Sequence, residues 1–163
     1  MNNIQHALRD LIHDTLKNIQ IHKAGEVINW TLRNLIAKYS LANEYYYTTQ
    51  KTLDFIKQQG LEISNRAIKI KKNKITFEHP VPCKVIANEF IKNYDPDYIN
   101  RILDDTDVVV ILSHDEDEIL KKNGLNSVMP ANWKFGDSIF ARYDYCKIKI
   151  LEEKIKMKGA IRR

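Results

Sequence analysis

The run Val108-Val109-Val110-Ile111-Leu112 is the longest apolar stretch in the chain, and it constrains the fold more than any other feature. It is short and rich in β-branched side chains, which suit a pleated surface. Unbroken apolarity, in place of alternation, marks a strand buried on both faces. Ser113 follows with Glu116 at the reciprocal capping-box position, so a helix is expected directly after the strand, closed by Gly124.

Elsewhere the apolar period changes along the chain. Ile4, Leu8, Leu11, Ile12, Leu16 and Ile19 recur at helical spacing, and Gly25 breaks the pattern. Val27, Ile28, Leu32, Leu35, Ile36 and Tyr39 resume it as a second helix. A third is expected from Ser40 and Glu44, with Leu41, Tyr45, Leu53 and Ile56 as its apolar face and Gly60 as its stop. Alternation then takes over: Ile68 and Ile70, then Ile75 and Phe77, flank Lys71-Lys72-Asn73-Lys74. This predicts a β-hairpin with one apolar and one basic face. Pro80 and Pro82 end its second strand, since proline donates no ladder hydrogen bond.

Two helices come next. Val85, Ile86, Phe90 and Ile91 carry one; Asp95-Pro96 opens the other, with Tyr98, Ile99, Ile102 and Leu103 facing the core. Residues 125–136 read as a loop holding Met129, Pro130 and Trp133. Asp137 is expected to cap a short helix through Tyr143, and Ile148, Ile150 and Leu151 to form a last strand. The fold class is α+β: a helical N-terminal half, a β-hairpin, and a buried strand with flanking helices.

At 163 residues, 44% hydrophobic and 29% charged, the chain reads as one domain over 1–163. Residues 1–60 are its helical part, 61–151 its α+β part and 152–163 a basic tail. This composition excludes collagen-like, low-complexity and wholly disordered classes. Cys83 and Cys146 fit no zinc spacing and read as reduced structural thiols. No segment is long and apolar enough to span a membrane, and the start of the chain carries no signal-peptide pattern, so a cytoplasmic location without membrane partners is expected.

The most distinctive polar spot is Glu78-His79-Pro80-Val81-Pro82, where a strand end meets a helix start. Histidine suits proton transfer near neutral pH, with Glu78 as its orienter or as a metal ligand. The structural alternative is a histidine bonded to a loop carbonyl beside two prolines that set the strand exit. The motif also invites comparison with the ββα-metal nuclease finger; Asn88 on the following helix is available as that finger's further ligand, but no histidine follows until His114 and the finger's glycine and cysteine pattern is missing. No restriction-type carboxylate–lysine core is present, nor a phosphate-binding glycine loop. Cys83 as a nucleophile lacks an orienting partner. In Ser113–Glu118, Asp117 and its acidic neighbours offer oxygen ligands for a divalent metal. The favoured reading of that segment is helix capping and complementation of the helix dipole.

Charge is segregated. The formal net charge is +5, yet Arg66–Lys74 holds Arg66, Lys69, Lys71, Lys72 and Lys74 with no acid. The tail holds Lys154, Lys156, Lys158, Arg162 and Arg163 with no acid from 154 onward, whereas Asp104–Glu118 holds seven acids and no lysine or arginine. The two basic stretches can neutralise phosphates, which implies salt-dependent binding of DNA or RNA. Tyr45-Tyr46-Tyr47 offers stacking surfaces if exposed, although a core role is favoured for it.

The second half resembles a group of small bacterial proteins. Their shared pattern is matched here by Glu78, His79, Val81 and Pro82, the strand 108–112, Glu116 and Asp117, Gly124-Leu125, Met129-Pro130, Trp133, and Ala141-Arg142-Tyr143. The likeness covers about residues 75–148 and implies no particular reaction. It singles out His79, Asp137 and Arg142, which packing alone would not demand. The expected function is a nucleic-acid-associated protein, nuclease-like or acting in host–mobile-element conflict. In it His79 is the acid/base, Glu78 its partner, Arg142 a phosphate clamp, and Asp117 a further site residue. The rival is a non-catalytic inhibitor or adaptor that binds another protein, for instance through the acidic segment.

Overall fold

The computed structural model describes residues 1–22, 26–60 and 75–156. Among these the chain forms an α+β fold of seven helices and a four-stranded mixed sheet. The order is α1 (Asn3–His22), α2 (Glu26–Leu41), β1 (Tyr45–Thr48), α3 (Gln50–Gln58), β2 (Ile75–Glu78), α4 (Cys83–Lys92), α5 (Pro96–Asp105), β3 (Val110–Ser113), α6 (His114–Lys122), α7 (Ala141–Tyr145) and β4 (Ile155–Lys156). No described helix is long and apolar enough to cross a membrane.

The sheet order is β2-β3-β1-β4. β3 is antiparallel to β2 and parallel to β1, and β4 closes the far edge antiparallel to β1. All four residues of β3 are buried, as the apolar run predicts. Period-two geometry sends them to different cores. Val109 and Ile111 pack with Tyr46 and Ile56 on one side; Val110 and Leu112 pack with Leu120, Leu125 and Tyr143 on the other. A third cluster joins the helices away from the sheet, with Ile12, Leu16, Leu32, Ile36, Phe90, Ile99 and Leu103 fully buried or nearly so.

Both helices opened by capping signals form as read. The Asp95 carboxylate accepts from the Tyr98 N–H at the head of α5. The Glu116 carboxylate accepts from the Ser113 N–H and hydroxyl at the head of α6. Gly124 ends α6 with φ +71°, a conformation that costs other residues strain.

Several expectations are corrected. The helix expected from Ser40 does not continue through the tyrosines. Tyr45–Thr48 is strand β1, with alternating burial, and α3 starts afresh at Gln50. Aromatic and β-branched side chains fit a half-buried pleat better than a helix. Thr49 then supplies the cap, its hydroxyl oxygen accepting from the Thr52 N–H. Tyr46 is fully buried, as favoured, and its hydroxyl donates to the Leu41 carbonyl; Tyr45 is 51% exposed.

The first strand of the expected hairpin, with Arg66, Lys69, Lys71, Lys72 and Lys74, lies outside the described residues. Its second strand is β2, whose described partner is β3. Asp137 caps a tight turn, its carboxylate accepting from the Lys134 N–H, and does not cap α7. The last strand falls at Ile155–Lys156 and not at Ile148–Leu151, where Ile150 makes only an isolated bridge to Thr49.

Candidate functional site

Strand register explains the polar cluster. Phe77 lies opposite Ile111 and Glu78 opposite Val110, so Glu78 points to the face that α7 covers. There it meets Arg142, whose side chain is fully buried. Arg142 Nε donates to the Pro80 carbonyl at 2.8 Å, and one terminal nitrogen donates to the Leu125 carbonyl at 2.5 Å. The other donates to Glu78 Oε2 at 2.5 Å and to the His79 carbonyl. One guanidinium thus ties α7 to the end of β2, to the proline turn and to the segment after α6. The Tyr143 ring lies against it, with the guanidinium carbon 5.7 Å from the ring centre.

The structure therefore brings Glu78, His79 and Arg142 together, but in a particular way. All three guanidinium nitrogens are engaged by protein oxygens, and the histidine contributes its main-chain carbonyl. The imidazole stands apart from the ion pair: its Nε2 is buried without a hydrogen-bond partner among the described residues. Burial pushes its pKa down to about 4, opposed by a hydrogen bond with the Ala37 main chain and reinforced by the nearby Arg142 charge. Burial raises the Glu78 carboxyl above its ordinary value, with Arg142 pulling it back and Asp117 adding to the rise. The Cys83 thiol is pushed up to about 12, chiefly by burial and then by Glu78, which keeps it protonated.

Asp117 stays one helix away. It sits buried in the first turn of α6, and its carboxylate accepts from Lys121 Nζ at 2.9 Å. His114, Asp117 and Glu118 present ligand atoms within 4.8 Å of one another, a spacing compatible with a divalent cation. The Lys121 ammonium lies 2.9 Å from Asp117 and 2.8 Å from Glu118, so a protein cation shared by the two carboxylates already offsets part of that cluster's charge.

The basic residues are distributed by the sheet. Residue 74 leads into β2 at Ile75, opposite Ser113, while Lys156 on β4 lies opposite Tyr45. Following the register through Val110 and Tyr47, the two basic stretches join the fold at diagonally opposite corners of the sheet. These corners are roughly 20 Å apart at ordinary strand spacings. Lys158, Arg162 and Arg163 lie beyond the described residues. At the β4 corner, Lys156 Nζ is 5.7 Å from the Tyr45 ring centre and Lys154 Nζ is 4.8 Å from that of Tyr47. Lys156 also has Glu44 at 3.6 Å, a solvent-exposed pair of little strength. Tyr47 in turn packs edge-on against Phe140.

Two features escaped sequence reasoning. Asp107 accepts from Gln5 Nε2 at 2.9 Å and from Asn43 Nδ2 at 2.7 Å, joining α1, the end of α2 and the approach to β3. Burial lifts its carboxyl to about 6. Gln5, Asn43 and Asp107 are far apart in sequence and carry no motif, so no signal pointed to them. The second is a pair of cavities, of about 310 and 440 Å³, the first between α5 and the loop 133–139 and the second beside Tyr47 and Phe140. Neither is lined by Glu78, His79 or Arg142. Comparison of the chain with protein-family models, with curated proteins and with solved structures finds no match.

Proposed function

We propose that this chain is a nucleic-acid-associated protein of the cytoplasm whose contact surface is centred on the β4 edge of the sheet. The observation that carries the reading is the pairing of Lys154 and Lys156 with the rings of Tyr47 and Tyr45. Exposed lysines beside tyrosine rings combine phosphate neutralisation with a stacking platform, which is how single strands are held without sequence readout. The chain continues from this corner into Lys158, Arg162 and Arg163 with no acid. On this reading the Arg142 cluster holds the fold together and leaves binding to the edge.

The rival reading, an adaptor docking through Asp104–Glu118, is weakened by how that segment spends its charges. Asp104 pairs with Arg9, Asp115 with Lys51, and Asp117 and Glu118 with Lys121. Asp107 accepts from Gln5 and Asn43, and Glu116 caps α6.

The test is fluorescence anisotropy of labelled single-stranded DNA and RNA over a salt series. Binding at low salt is expected, with an affinity that falls linearly in log–log form. Replacing Lys154 and Lys156 by glutamine is expected to cut the salt slope by about 0.7 per residue. The exposed Lys92→Gln control, on the far helical layer, is expected to leave it unchanged. Absence of binding at low salt overturns the reading, as does a slope indifferent to Lys154 and Lys156.

A further inference from the structure

One of the seven acids of Asp104–Glu118 remains unspent. Asp105 forms no hydrogen bond or ion pair among the described residues, and Arg101, one turn before it on α5, sits over the Tyr98 ring. Asp105 lines the cavity of about 310 Å³ with Thr106, Trp133, Phe135 and Asp137. The Asp137 carboxylate accepts only the main-chain N–H of Lys134 and has no cationic partner among the described residues. Trp133 and Phe135 meet at 65° with ring centres 4.9 Å apart, forming an aromatic corner. The Trp133 N–H donates to the Ser138 carbonyl at 2.9 Å, which fixes the indole and satisfies its polar atom. The loop's Trp133, prominent in the sequence, has no part in the Arg142 cluster or the β4 edge.

We propose that this cavity is a binding site for an organic cation, a methylated or alkyl ammonium group. Two aromatic residues, Trp133 and Phe135, and two aspartates without cationic partners among the described residues line one space. Aromatic rings attract such cations through their quadrupoles, and the carboxylates supply the counter-charge. A cavity of this size sits at the small end of ligand sites, suited to a compact head group. A primary ammonium or guanidinium is accepted by the same carboxylates, but the aromatic corner favours the weakly hydrated methylated head. The site is independent of the nucleic-acid reading: it lies on α5 and the 133–139 loop, away from β4.

The test uses Trp133 emission in the Trp30→Phe protein, since Trp30 is exposed and is the chain's other tryptophan. Choline is titrated against its neutral isostere 3,3-dimethyl-1-butanol at constant ionic strength. A saturable change with choline and none with the alcohol is expected. The double replacement Asp105→Asn and Asp137→Asn, both at exposed positions, is expected to weaken choline about tenfold, equivalent to about 1.4 kcal/mol. An equal response to choline and the alcohol, no response to choline, or a response unchanged in the double variant overturns the proposal. An N-acetyl trimethyllysine amide distinguishes the source of the cation. Tighter binding than choline identifies a protein side chain as the ligand, and weaker binding a free amine.

Discussion

Arg142 and Lys156 are both cations beside a tyrosine and a glutamate, yet the fold uses them in opposite ways. Arg142 is enclosed, and its fork is filled by Glu78 and three carbonyls. Lys156 stands in solvent on an edge strand, with only a loose contact to Glu44. Residue chemistry alone does not separate a structural cation from a binding one. What separates them is how many protein oxygens already surround the charge. A buried guanidinium with all three nitrogens already bonded to protein oxygens is closed to a phosphate, whereas an exposed ammonium can exchange a counterion for one.

The largest effect is expected at Arg142. Arg142→Met is expected to destabilise the protein by roughly 3–5 kcal/mol in urea unfolding, since Glu78 and three carbonyls lose their buried donor. Adding Glu78→Leu is expected to restore part of that loss, because the uncompensated carboxylate is then gone. At the edge, Tyr45→Ala is expected to weaken single-strand binding by about 1–3 kcal/mol while leaving the urea midpoint nearly unchanged. Equal loss of stability at both places would erase the distinction.

The pH dependence of stability separates two further groups. His79 has a folded pKa of about 4 against an ordinary 6.5, so the unfolded chain binds more protons between these values and stability rises with pH across that window. Asp107 has a folded pKa of about 6 against 3.8, so the folded chain binds more protons and stability falls across its window. The two oppose each other between about 4 and 6. Asp107→Asn is expected to tilt the thermal-melt profile from pH 4 to 6.5 upward relative to the parent, with the raised Glu78 carboxyl opposing His79 in both proteins; a profile that falls as steeply as the parent's would contradict the Asp107 assignment. The smallest effect is expected at Lys51→Ser, which opens the exposed Lys51–Asp115 pair and should leave the urea midpoint nearly unchanged.

Much of this was legible in local sequence. The apolar run at 108–112, the Ser113–Glu116 capping box and the Asp95-Pro96 helix start each depend on neighbours within a few residues. Glu78 stood out through its place beside His79 at a strand end, and Arg142 through the resemblance, which also singled out His79 and Asp137. The geometry that joins Glu78 to Arg142 was not legible, because it depends on β2 pairing with β3 in a register that aims Glu78 at α7. Tyr45–Thr48 was misread because leucine and isoleucine on either side continue a helical period across it. Its strand identity comes from partners at Val110 and Lys156, more than sixty residues away. The Asp107 network and the Trp133 cavity share that origin: they are products of tertiary contact between segments with no common motif.

The most direct test of the contrast is a proton–nitrogen NMR spectrum recorded with and without a single-stranded oligonucleotide. An enclosed Arg142 is expected to give a slowly exchanging Nε–H signal that does not move on titration, while the backbone amides of Tyr45 and Lys156 shift. A rapidly exchanging Arg142 signal that moves with the oligonucleotide, beside an unmoved β4, would contradict it.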